Sequence, residues 1–201
     1  MVVGCGGATQ TNSTFNVDKL VVGTTDGITK AFDFEPTEQT LVVNDANPRG
    51  FAAQAYDCDP NGLYLTPQQA FVTGPATPPR GTGSRAFTMG SDPKQTELFR
   101  TTTYDAKKLA DVQRLGYSTY VAAAGKQPAY LRLTVSDDGN NTPEHSLFFY
   151  PGNNPGQQAV ASGTWQSWNV GSGDLNVDGD GGATTTLAAY VSAHPNAELV
   201  N

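Results

Sequence analysis

"AYLRLTVSDDGNNTPEHSLFFYPG", residues 129–152, carries the pattern on which the reading of the fold turns. Tyr130, Arg132 and Thr134 alternate with Leu131, Leu133 and Val135, so an extended chain sets polar and apolar side chains on opposite faces. "DDGNN" (137–141) consists of residues that accept tight turns, and "HSLFFYPG" returns as a second strand. A lone hairpin cannot bury its apolar face, so the rest of the chain must supply further strands.

It does so on both sides. "TFNVDKLVVGTTDGITKAFDFEP" (14–36) has an apolar run with Val17, Leu20 and Val22, a "TTDG" turn, and then Ile28, Lys30, Phe32 and Phe34 in alternation. This reads as a hairpin with one apolar face. "TLVVND" (40–45), "SRAFTMG" (84–90), "TELFRTTTY" (96–104), the end of "LADVQRLGYSTYVA" (109–122) and "GTWQSWNV" (163–170) read as strands, and "GPATPPRGTG" (74–83) as a rigid loop. Only "TLAAYVSAHP" is helical: Leu187, Tyr190, Val191 and His194 fall at helix spacing, and Pro195 stops it. The expectation is a single domain over 1–201, all-β, a two-sheet antiparallel β-sandwich with one short helix near 186–194.

Composition agrees. The 201 residues suffice for one sizeable core, and 22 Gly and 13 Pro beside only 15 % charged residues favour short strands and turns. A net charge of −7 gives no basic footprint for nucleic acid, and no apolar run approaches the 18 residues of a membrane-spanning helix. "MVVGC" looks like a lipoprotein cleavage box without the charged and apolar leader, so any export signal is expected outside this chain. Cys5 and Cys58 form one disulfide if the protein is exported, or are two separately buried thiols.

"DLNVDGDGG" (174–182) is the sharpest motif. Asp174, Asn176, Asp178, Gly179 and Asp180 reproduce the first half of a calcium-binding EF-hand loop, whose alternating oxygens suit Ca²⁺. Thr185 stands where that loop has its bidentate Glu, and the competing reading is a solvated turn. Trp165 and Trp168 are candidates for stacking on a sugar ring, although three residues apart on a strand puts them on opposite faces, one of them toward the core. Tyr150, Tyr130, Tyr56 and Tyr64 are further aromatic candidates. Nothing points to catalysis. His145 and His194 are far apart in sequence, no nucleophile elbow, zinc-protease helix motif or P-loop occurs, and no spacing pairs Glu35, Glu97, Glu144 or Glu198.

"GPATPPRGTGS", "LADVQRLGYSTY", "AYLRLTVSDDGN", "LFFYPG", "GTWQSWN" and "TLAAYVSAHPNAELV" occur in that order over most of residues 70–200. Together they resemble secreted β-sandwich modules of actinobacterial and related bacterial surface proteins, jelly-roll domains similar to carbohydrate-binding modules. The resemblance implies an extracellular or cell-surface location. It also implies a circular permutation, because "VVGCGGA" and "NVDKLVVG", within residues 2–35, are strands that close the domain in such modules. From this order comes the functional expectation: a structural subunit that self-associates head to tail, its Val17, Leu20, Phe32 and Phe34 filling a neighbour by strand exchange to build filaments. The alternative is a carbohydrate-binding module.

Overall fold

A computed structural model describes residues 2–3, 13–25, 29–32, 42–57, 62–91 and 94–200. The strands are β1 (Val2–Val3), β2 (Ser13–Thr24), β3 (Thr29–Phe32), β4 (Phe51–Asp57), β5 (Tyr64–Leu65), β6 (Gln69–Thr73), β7 (Gly83–Met89) and β8 (Gln95–Thr101). They continue with β9 (Val112–Val121), β10 (Leu131–Ser136), β11 (His145–Phe149), β12 (Trp165–Asn169), β13 (Asp174–Val177) and β14 (Thr184–Thr186). Helix α1 (Leu187–Ala193) and strand β15 (Glu198–Leu199) complete the set. The fold is an all-β sandwich whose one α-helix among the described residues lies near the C-terminus, as the periodicity implies. The helix begins where the Thr186 hydroxyl accepts the Ala189 N–H (3.1 Å), and it ends at His194 before Pro195. "TLVVND" contributes no strand among the described residues; Val42 and Asn44 take part in isolated bridges, that of Asn44 to Asn47.

Hydrogen bonding divides the strands into three antiparallel sheets rather than two. The orders are β1-β8-β4-β5, then β14-β13-β11-β10-β15, then β12-β9-β2-β7-β6 with β3 also on β2. One buried cluster joins them: Val17 and Leu20 of β2, Phe87 of β7, Phe99 of β8, Leu131 of β10, Phe149 of β11 and Leu175 of β13 all belong to it.

β2 occupies the middle of the largest sheet. One flank pairs with β9; the other pairs first with β7, through Ser13–Val17, and then with β3, through Leu20–Gly23. The change of partner coincides with a bulge between Asp18 and Val21, where Lys19 takes a left-handed φ of 54°. Asp18 is wholly buried there, and its carboxylate accepts the N–H groups of Lys19 (2.7 Å) and Arg80 (3.1 Å).

A second buried polar group ties two sheets together. Glu97 of β8 is fully buried and accepts from the Gln68 N–H (2.9 Å), the Gln69 amide (3.0 Å) and the Gln95 amide (2.9 Å). Burial pushes its carboxyl above the ordinary range, against these hydrogen bonds and the nearby Arg85. Arg85 of β7 is itself buried, with its guanidinium carbon 4.4 Å from the Phe71 ring centre and 4.6 Å from that of Phe99. Removing the carboxylate would strand the Gln68 N–H and the Gln95 amide, while the Gln69 amide keeps the Leu98 carbonyl (2.8 Å). Glu97→Ala is therefore expected to lower the unfolding free energy by about 3 kcal/mol, read from urea denaturation; a change within ~0.5 kcal/mol would contradict the network's structural role.

Candidate functional site

The alternation that builds β10, β11 and β13 also sorts their side chains. Leu131, Val135, Leu147, Phe149 and Leu175 turn inward and are buried. The register then lines up Arg132 with Phe148, Phe148 with Asn176, and Asn176 with Thr184 across the opposite face. Tyr130, Tyr150 and Asp174 extend that face beyond the row, and Thr134 opposite Ser146 extends it on the other side.

An aromatic cluster lies at its centre. The Phe148 and Tyr150 rings are parallel within 7° at a centroid distance of 5.8 Å, and Tyr130 meets Tyr150 edge-on at 5.0 Å and Phe148 at 5.7 Å. All three residues are half-buried. Arg132 sits beside them, its Nε donating to Ser146 Oγ (3.0 Å) and its guanidinium carbon 5.5 Å from the Phe148 ring centre. Burial, then the neighbouring phenols, drive the Tyr130 hydroxyl far above its usual range. Burial and Asp180 raise that of Tyr150, and Arg132 opposes both shifts. Both phenols therefore stay protonated at neutral pH and can donate as well as accept.

The Asp/Asn motif borders this cluster as a hairpin. Asp174 and Asn176 lie on extended β13, with Asp174 held at its backbone by the Asn154 side chain (2.7 and 2.8 Å). Asp178 takes a left-handed φ of 61°, and the turn closes by hydrogen bonds from Val177 N–H to Ala183 O (2.9 Å) and Gly182 N–H to Gly179 O (3.1 Å). Gly182 is required, since a Cβ there would lie 1.8 Å from the Val177 carbonyl oxygen. Extended backbone separates the positions of Asp174 and Asp178 by about 13 Å, and the oxygens around one calcium lie within roughly 5 Å of each other. The structure thus lays Asp174 and Asn176 along a strand and Asp178 in the turn that follows instead of coiling them about a point, and leaves Asp180 exposed at the tip.

Beyond the other end of the face, the two histidines meet. His145 Nδ1 is 2.7 Å from Asp178 Oδ2, while Asp178 Oδ1 accepts the Ser146 N–H (3.0 Å). His145 Nε2 lies 3.7 Å from Asp137 Oδ2, which also stands 3.0 Å from His194 Nδ1. The Tyr190 hydroxyl donates to Asp137 Oδ1 at 2.5 Å, and its ring stacks on His194 at 4.5 Å. Nothing in the separation of these residues along the chain announces the cluster. It arises because the β10–β11 turn, the β13 end and α1 converge.

Trp168 is core: it is 2 % exposed, its indole N–H donates to Thr119 Oγ1 (2.7 Å), and its ring is therefore not open to a ligand. Trp165, on the opposite side of β12, is half-buried and donates to the Pro75 carbonyl (2.8 Å), away from the aromatic cluster. Tyr64 is exposed on β5. Val17, Leu20 and Phe32 are buried within their own chain, and Phe34, Cys5, Cys58 and Glu35 lie outside the described residues. Phe148 was not singled out from the sequence, although the alternation of "HSLFFYPG" already places it beside Tyr150.

Searches of protein-family models, curated proteins and solved structures returned no match to this chain.

Two outcomes follow from the hairpin. The His145 ring is raised by its hydrogen bond to Asp178, and Asp178 is lowered by the Ser146 N–H and then by His145. The raised histidine stabilises below its unfolded pKa and loses that contribution as pH rises through its folded pKa. The depressed aspartate stabilises above its unfolded pKa and loses that contribution as pH falls. The pair therefore contributes most between about pH 4 and pH 6.5, and modestly, because both groups face solvent. Asp178→Asn should bring the His145 midpoint down toward its ordinary value in an NMR titration. Melting curves in millimolar calcium and in chelator should coincide, and an upward shift with calcium would show that the hairpin recoils around the ion.

Proposed function

We propose that the chain is an extracellular carbohydrate-binding domain that uses the outer face of the β14-β13-β11-β10-β15 sheet. The supporting observation is the partly exposed cluster of Tyr130, Phe148 and Tyr150 bordered by Arg132, Asp174 and Asn176. A sugar ring presents C–H groups on its faces and hydroxyls around its edge. Aromatic carbon suits the former, and a rim of phenol, amide, carboxylate and guanidinium suits the latter. The extracellular setting follows from the similarity of the six ordered motifs to secreted surface modules.

A glycan array tests this reading. Binding should appear for at least one neutral glycan and fall about tenfold or more in Tyr150→Ala and in Phe148→Ala, while Trp165→Ala binds as well as the parent. An array without a hit, or binding that survives both cluster substitutions, would refute it.

A second reading, a self-assembling structural subunit, is favoured by one different observation. β2 (Ser13–Thr24) lies between β7 (Gly83–Met89) and β9 (Val112–Val121), strands far from it in sequence. A slot of that kind accepts the same strand from a neighbour, and head-to-tail exchange yields open filaments. Light scattering across a concentration series separates the two. Polymers that lengthen with concentration support exchange, and a constant monomer mass counts against it.

A further inference from the structure

The outer face of the β14-β13-β11-β10-β15 sheet is a grid whose rows cross the strands. Arg132, Phe148, Asn176 and Thr184 stand in register on β10, β11, β13 and β14, each of them half-buried or exposed. Adjacent strands lie about 4.8 Å apart, so the row spans roughly 14 Å from Arg132 to Thr184. The aromatic cluster covers only its β10–β11 end, where the Tyr130 and Tyr150 rings adjoin Phe148. At the other end the sheet stops, because β14 is its outermost strand.

The two directions leading away from Phe148 differ. Along β11, the next outward side chain is Ser146, whose hydroxyl already accepts from Arg132 Nε (3.0 Å). Beyond it, Asp178 is engaged by the Ser146 N–H (3.0 Å) and by His145 (2.7 Å). Across the strands, the Asn176 amide and the Thr184 hydroxyl make no hydrogen bond among the described residues. The Asp174 carboxylate, next to Asn176 on the same face of β13, makes none either. The free polar groups therefore lead from the aromatic end toward β14.

We propose that this row is an extended site for a linear neutral oligosaccharide laid across the strands, with a second sugar subsite at Asn176 and Thr184. It rests on the carbohydrate reading above, and adds the length and course of the ligand and two contact residues. One pyranose covers the aromatic end with its C–H face down. The next units continue over β13 and β14, where an amide and a hydroxyl can each donate to and accept from ring hydroxyls. A pyranose unit is about as long as one strand spacing, so the row holds about three units. Asp174 and Asp180 near Tyr150 outnumber Arg132, which disfavours an acidic sugar.

NMR titration with cello-, manno- and xylo-oligosaccharides of one to five units tests it. In at least one series, affinity should climb about tenfold or more from one unit to three and level off beyond. The Asn176 side-chain amide signals should move with the trisaccharide and stay in place with the monosaccharide. Asn176→Ala and Thr184→Val should each weaken the trisaccharide about fivefold and leave the monosaccharide unchanged. If sugars bind at Phe148 and Tyr150 with no dependence on length, or both variants hold the trisaccharide like the parent, the extended site is refuted while the carbohydrate reading stands. If none of the series moves the Phe148 or Tyr150 signals, the extended site fails, and the glycan array decides the carbohydrate reading separately.

Discussion

The place of β2 between β7 and β9 is the constraint on which the sandwich rests. Remove that strand and the largest sheet becomes two unconnected halves, each with a raw edge of unsatisfied N–H and C=O groups. Val17, Leu20 and Val22 also leave the core, and with them goes the floor against which the other two sheets pack. Residues far apart in sequence on either side of the slot can pair only through it. The first part of the chain is in this sense not an appendage.

Once that layer exists, the other two sheets meet it through both apolar and polar contacts. Phe51 stacks on Phe99 at 5.0 Å, and Phe32 meets Phe51 edge-on at 5.3 Å, so β3, β4 and β8 share one aromatic seam. Arg85 enters beside it between Phe71 and Phe99, its charge spread over two ring faces, with Glu97 satisfied by three amide donors nearby. A dry apolar seam sets distance but tolerates sliding. The directional hydrogen bonds around Glu97 admit one alignment of β8 against β6.

What was legible from sequence was whatever depends on near neighbours. Period-two alternation in 129–136 placed Tyr130, Arg132 and Thr134 on one face, and the spacing of Leu187, Tyr190 and Val191 marked the helix. The Asp/Asn motif shows how one pattern serves two structures. D-x-N-x-D-G also alternates, with Leu175 and Val177 between its polar residues, and the burial of Leu175 settles the backbone as strand. The meeting of His145 and His194 at Asp137, the division into three sheets, and the position of β2 all depend on which distant segments become neighbours. No local propensity encodes that.

The bulge at Asp18 and Lys19 bears on how β2 finds its slot. A strand of uniform alternation can slip two residues along its partners and still present apolar side chains to the core. β2 cannot. Its left-handed residue and its buried carboxylate must fall where the sheet changes partner from β7 to β3 and where the Arg80 N–H waits. A slip of two would bury the carboxylate against a pleated ladder with no donor and force Lys19 to bend the chain in the wrong place. The irregularity thus works as a key with a single cut, and any strand that enters this slot, from its own chain or another, must carry the same notch.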